Sequence, residues 1–315
     1  MSFFSSQTEK AIELKFCELF LRDGIQGWPV VLDTQDKLRL LHAIDDAGVA
    51  EIDVTSFVPP HIVPQFADAE RVLEGFQGKA EVRVLAGNLK GVERLIAANN
   101  NARRITTCGM PISASESHNL ANLRCDHATH KVRIADMVSA LLAADIRPMV
   151  CVATAWGCPI EGEVHPDKVL GLVEWLRSVG VKAIMLGDTT GMANPSSAHE
   201  LFSQIVMAWP DLEYIAHFHD NRGCGMANVL AAIVAGVRSI DGCLGGLGGE
   251  PTSVEQGHVG MSGNVVSEDL IGMLNEMGYA TGVKLDALLQ AGLLAEQILQ
   301  RPLFSKWQKL TSATS

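Results

Sequence analysis

Apolar and β-branched runs alternate with amphipathic segments of helical length along most of the chain, from about residue 16 to residue 243. The short runs are Phe16–Leu21, Glu51–Thr55, Val82–Ala86, Arg104–Thr107, Pro148–Ala153, Ala183–Leu186, Tyr214–Phe218 and Ser239–Cys243. Their length and β-branched content predict strands. Between them, Thr34–Ala47, Val63–Phe76, Leu89–Asn99, His127–Ala144, Pro166–Val179, Ser197–Ala208 and Gly225–Ala235 carry the spacing of helices with one buried face. Asp33 or Thr34 and Ser197 are placed to cap helix starts, and Gly48 and Gly180 stand where a helix end favours a left-handed residue.

Strand followed by helix, repeated through eight strands, predicts parallel βα units and an α/β fold of the (β/α)8 TIM-barrel type. An open doubly wound sheet is the rival, but no GxGxxG follows the first strand. Glycine-rich Gly242–Gly263 breaks the rhythm, and Ser267–Leu274 and Leu285–Leu299 then read as additional helices. No linker or low-complexity segment divides the chain. The expected organisation is a barrel over residues 14–280 with a C-terminal helical extension over 281–315.

The composition narrows the function class. Of 315 residues, 47% are hydrophobic and 19% charged, which suits a large core, and the net charge of −11 argues against a nucleic-acid or anionic membrane surface. The polar start of the chain lacks the pattern of a secretory signal, and no apolar run is long enough to span a bilayer. Seven scattered cysteines without a CxxC pair read as reduced thiols, so a cytoplasmic protein acting on a small molecule is expected.

In such a barrel the chemistry belongs at the C-terminal ends of the strands. Arg22-Asp23-Gly24 follows the first strand, Asp53 and Thr55-Ser56 end the second, and Asn88 follows the third. Asp188-Thr189-Thr190 ends the sixth, His217-Phe218-His219-Asp220-Asn221 the seventh, and Gly245-Gly246-Leu247-Gly248-Gly249-Glu250 follows the eighth. Side chains two apart on a strand share a face, so His217 and His219 converge. Two such imidazoles are either half of a divalent-metal site or a hydrogen-bonded core pair. Acids and histidines gathered on one rim favour the metal.

These motifs resemble the 3-hydroxy-3-methylglutaryl-CoA lyases, within the wider metal-dependent barrel group that includes isopropylmalate and homocitrate synthases and the pyruvate carboxyltransferase-like domains. The resemblance runs collinearly from about Cys17 to Gly292. It is carried by Arg22-Asp23-Gly24-Ile25-Gln26, Thr55-Ser56-Phe57-Val58, Asn88-Leu89-Lys90-Gly91, Gly157-Cys158-Pro159, Leu186-Gly187-Asp188-Thr189, His217-Phe218-His219-Asp220, Gly246-Leu247-Gly248-Gly249, and Ser262-Gly263-Asn264 before Glu268-Asp269-Leu270. It implies Mg²⁺ or Mn²⁺ held by Asp23, His217, His219 and Asn264, and an acyl-CoA substrate. It further implies Arg22 as the group stabilising an enolate oxygen, catalytic roles for Asp53, Asp188 and His219, and a homodimer. Asp53 stands where the family usually has glutamate.

The chain also departs from that family. The cysteine that ends the family's glycine-rich loop and protonates the enolate is here Glu250, and the nearest cysteine is Cys243. The loop from Glu250 to Asn264 is longer than usual and carries Glu255 and His258, the latter a competing proton donor. The family's Gln-Asn-Glu-Lys run is Gln26-Gly27-Trp28-Pro29 here, without the lysine and asparagine. The leading expectation is a lyase that splits a 3-hydroxyacyl-CoA into acetyl-CoA and a keto acid. The alternatives are a metal-dependent aldolase or carboligase acting on a 2-oxo acid without CoA, and a barrel that lost its donor and now binds or regulates.

Overall fold

The computed structural model describes residues 11–102, 105–249 and 263–312. Eight strands form its centre: β1 (Lys15–Glu18), β2 (Glu51–Ser56), β3 (Glu81–Leu85), β4 (Ile105–Ser113), β5 (Arg147–Ala153), β6 (Ala183–Asp188), β7 (Glu213–Phe218) and β8 (Ser239–Gly242). They close into one barrel, β8 pairing with β1, and every neighbouring pair is parallel. Helices lie between successive strands, so the fold is the (β/α)8 barrel that the alternating pattern predicts.

Strand β7 shows how the sequence builds two layers. Tyr214, Ala216 and Phe218 face the helices, where the Phe218 ring lies 5.0 Å from Trp156 and 6.2 Å from Phe202. Alternation turns Ile215 and His217 into the lumen. Ile215 there joins Met149, Ala183 and Met185 in a small apolar cluster separate from the main core between sheet and helices.

Several boundaries differ from the sequence reading for local reasons. Strand β1 stops at Glu18 instead of Leu21, because Phe20–Gly24 winds into a π-helical turn. The helix expected over Val63–Phe76 is split into a 3-10 turn at Pro64–Phe66 and a helix at Ala69–Gly75. Asp68 between them spends its carboxylate on Thr34 Oγ1 and Lys37 Nζ, both at 2.7 Å. Strand β4 runs on through Gly109 and Pro111, which pair with Met149 and Cys151. Ser197 is not the helix cap but its third residue. Asn194 is the cap, Pro195 opens the first turn, and Asn194 and Ser197 bond reciprocally.

Asp33 does cap its helix, accepting from Gln35 N at 2.7 Å, and Gly48 and Gly180 have φ of +82° and +97° as expected. Among the described residues two helices lie outside the sequence reading, Glu116–Leu123 and Lys306–Ser312. Beyond the barrel, Leu285–Leu299 packs against Thr34–Asp46, joined by Lys284 N donating to Ala47 O at 2.8 Å. Among the described residues no helix is long and apolar enough to cross a membrane.

Candidate metal centre and active site

The π-helical turn after β1 places the first two site residues. All five of its residues are buried, with the amides of Arg22 and Gly24 both donating to Leu19 O at 3.1 Å. Such an extra-wide turn projects side chains that a regular helix would space differently. It rests on Glu18, whose Oε1 accepts from Phe20 N and from Leu244 N, both at 2.9 Å. One buried carboxylate thereby ties the turn to the start of the glycine-rich loop. Gly24 is required by packing, since a Cβ there would lie 2.8 Å from Cys243 Sγ.

Arg22 is held on two sides, Nε donating to Asp53 Oδ2 at 2.7 Å and Nη1 to Asp23 Oδ1 at 2.6 Å. Burial opposes its charge, but Asp53 and then Asp23 outweigh burial and strengthen it. Asp53 Oδ1 is buried without a hydrogen-bond partner among the described residues. Burial raises the Asp53 carboxyl despite Arg22 and Arg83. Asp23 goes the other way. Burial would raise it, yet Arg22, His217, His219 and the Asn264 amide bring it down to about 2.

The two histidines meet Asp23 at the mouth of the barrel, and ligand atoms of Asp23, His217 and His219 lie within 4.8 Å of one another. His219 Nδ1 bonds to Thr189 O at 2.8 Å and His217 Nδ1 to Asp241 Oδ2 at 3.3 Å. A carbonyl and a carboxylate only accept, so both Nδ1 atoms carry hydrogen and both Nε2 atoms present lone pairs when the rings are neutral. Those Nε2 atoms are 3.2 Å apart. Two lone pairs beside a carboxylate are the donor set a cation would satisfy. Asn264 stands beside it, its Nδ2 donating to Asp23 Oδ2 at 2.6 Å and to Leu247 O at 2.8 Å. Gly248, with φ of +105°, passes so close that a Cβ would collide with Asn264 Nδ2 and lie 2.8 Å from Asp23 Oδ2.

Asp188 is turned to the backbone, its Oδ1 accepting from Met192 N at 2.7 Å and Ala193 N at 3.1 Å. Burial raises its carboxyl to about 6 against those two amides. It closes the turn that carries Thr189, and Thr154 N, at a residue with φ of +54°, donates to Thr189 Oγ1 at 2.8 Å. Cys243 is wholly buried behind Gly24, with its thiol pushed well up by burial, so it packs and does not stand in for the missing cysteine. Glu250, Glu255 and His258 lie outside the described residues.

Residues 13–294 match the HMGL-like family model. The chain belongs to the HMGL-like family. Mouse mitochondrial hydroxymethylglutaryl-CoA lyase is 36% identical to it over 95% of this chain and 90% of that protein. An HMG-CoA lyase from Acinetobacter baumannii, solved with coenzyme A and 3-methylmalate, superposes with a TM-score of 0.86 at 35% identity, covering 94% of each chain. The hydroxymethylglutaryl-CoA lyase from Pseudomonas aeruginosa gives 0.90 at 29% identity, covering 97% of this chain and 99% of that one. Around the site of this HMGL-like chain stand Glu18, Glu51, Arg83 and Asp241, which motif reading overlooked, and Glu268, which belongs to the motifs already quoted, all 2% exposed or less. Their signal was present as charges at alternate positions of otherwise apolar strands, in Glu51-Ile52-Asp53, Val82-Arg83-Val84 and Ile240-Asp241-Gly242.

Proposed function

We propose that this protein is a divalent-metal-dependent carbon–carbon lyase that cleaves a 3-hydroxyacyl-CoA of the 3-hydroxy-3-methylglutaryl type into acetyl-CoA and a keto acid. The observation that carries the reading is Arg22 pinned between Asp23 and Asp53, 2.6 and 2.7 Å from them, beside two imidazoles whose Nε2 atoms converge. The A. baumannii relative solved with coenzyme A supports a CoA thioester over a free 2-oxo acid.

Asp23, His217, His219 and Asn264 would hold Mg²⁺ or Mn²⁺, oxygen and imidazole donors suiting either. When bound, that cation supplies the positive charge that makes the substrate hydroxyl acidic. The chain's own residues do the rest. Asp23, lowered to about 2 mainly by Arg22 against burial, enters as the carboxylate near neutral pH. Arg22 has two of its five N–H groups committed to carboxylates, which leaves the second hydrogen of Nη1 and both of Nη2 to receive the oxyanion as the thioester enolate forms. Asp53 orients that guanidinium. Asp188, through the turn bearing Thr189, fixes the tautomer of His219. Protonation of the enolate carbon falls to Glu250, which holds the family's cysteine position, with His258 as the competing donor.

The test is incubation with Mg²⁺ or Mn²⁺ and a panel of hydroxyacyl-CoAs and CoA-free hydroxy-oxo acids, followed by mass spectrometry. Acetyl-CoA released only with the cation present supports the lyase. Turnover of a CoA-free acid alone would replace it with an aldolase.

A further inference from the structure

Below the converging histidines the lumen is not apolar all round. Inward positions of β2, β3 and β8 carry Glu51, Arg83 and Asp241, none more than 2% exposed. Arg83 donates from Nη2 to Glu51 Oε2 at 2.5 Å and from Nη1 to Asp241 Oδ1 and Oδ2 at 3.1 and 3.2 Å. Strands β3 and β8 are not neighbours, so this link spans the barrel. Thr107 Oγ1 and Arg147 Nη2 close on Glu51 Oε1 at 3.1 and 3.2 Å, and fix the anion that anchors Arg83.

Packed apolar side chains would fill such a space at less cost than three desolvated charges. The network even leaves Arg83 Nε buried with no partner among the described residues. What it produces is an immobile Asp241 carboxylate, gripped by one guanidinium nitrogen on one side and meeting His217 Nδ1 at 3.3 Å on the other. At 3.3 Å that bond is long, and its quality depends on the orientation of the carboxylate. Freed from Arg83, the carboxylate could turn away, and the imidazole would be free to place its hydrogen on either nitrogen.

We propose that Arg83 is a positioning residue: by clamping Asp241 across the lumen it holds His217 as the Nδ1–H tautomer, with Nε2 turned toward Asp23, His219 and the divalent cation. This rests on the reading of those residues as a cation site. Outer partners of ligating histidines commonly change metal affinity by about 10–100-fold. Arg83 reaches the ligand only through Asp241, and belongs to the device no less than the aspartate does.

The test uses the full chain and two readouts, Mn²⁺ affinity by electron paramagnetic resonance and the His217 tautomer by ¹⁵N NMR without metal. The variants are Arg83→Lys, Asp241→Asn, and the double variant Arg83→Met with Glu51→Met. Arg83→Lys keeps the charge and loses the fork, and the double variant removes the cation together with Glu51, the anion it shares with Arg147. In each, the folded protein is expected to bind Mn²⁺ about 10-fold or more weakly, with loss of the pure Nδ1–H signature. Folded variants with wild-type affinity and an unchanged His217 spectrum would overturn the proposal and leave the network a structural plug. If the wild-type protein binds no Mn²⁺, the cation-site reading fails, and the tautomer measured without metal still decides the role of Arg83.

Discussion

His217 and His219 present their Nε2 atoms to each other across 3.2 Å, each with its Nδ1 already bonded, to Asp241 and to the Thr189 carbonyl. With both Nδ1 atoms donating, the Nε2 atoms turn lone pairs toward the same point whenever the rings are neutral, an arrangement that suits a cation beside them. The Asp23 carboxylate, ionised down to about pH 2, completes a pull on that charge. His219→Ala removes one of the two nitrogens. The variant is expected to lose activity and to take up Mn²⁺ far more weakly, while Thr189 O loses only one donor. Full metal content and full turnover in purified His219→Ala protein would mean that the pair is a core feature and not a ligand set.

Arg22 makes a second, separable prediction. Its two bonds to Asp53 and Asp23 preorganise it before substrate arrives, so its effect belongs to the transition state. Arg22→Met should lower kcat by on the order of 10²–10³, the typical cost of one preorganised donor at a developing oxyanion. KM should move much less. A variant with unchanged kcat and only a raised KM would make Arg22 a binding residue.

Glu18 links the π turn to the glycine-rich loop and predicts how stability follows pH. Burial is the largest influence on its carboxyl and raises it from 4.5 to about 7, against the lowering by Ser267, Leu244 and Phe20. A carboxyl whose folded pKa is raised holds its proton more tightly when folded. Its stabilising contribution is therefore full below about 4.5 and is lost as pH rises toward 7. Glu268, raised to about 8 mainly by burial, acts in the same direction over a slightly wider range. His130, lowered to about 4 by burial, acts in the opposite direction over part of this range, so the measurement is the difference in melting temperature between wild type and Glu18→Gln, which keeps the acceptor oxygen for both amides. The variant should gain on the wild type as pH rises through this window, and a difference that stays constant with pH would refute the assignment.

The fold was legible because its signals are local. Eight strand-length runs and the helices between them can be counted, and His217-x-His219 and Arg22-Asp23 announce themselves by residue type at strand ends. The lumen network was harder, because Arg83 and Asp241 are 158 residues apart and meet only when the barrel closes. Nothing in either segment names the other. Gly109 and Pro111 misled by residue type, since their strand pairing is set by β5 rather than by local preference. Cys243 shows a related limit: sequence places a thiol near the glycine loop, and only packing against Gly24 shows that it points into the core.

The proton donor is where this chain parts from the resemblance, and a comparison of two variants addresses it. Glu250 follows Gly248 and Gly249 in the chain, and Gly248 lies against Asp23 and Asn264 of the candidate cation site. A carboxylic acid has an unperturbed pKa near 4.3, against about 8.5 for the thiol it replaces. To deliver a proton near neutrality it must be raised by a dry environment or by a neighbouring carboxylate. Burial has that effect on Asp188, raising it to about 6. His258 needs no such shift, its ordinary pKa being near 6.5. With Glu250 as donor, Glu250→Gln should lower kcat sharply and remove the alkaline limb of the pH–rate profile, while His258→Ala keeps both rate and shape. A collapse confined to His258→Ala would transfer the role to the histidine. Wild-type behaviour in Glu250→Gln would exclude the glutamate whatever His258 does.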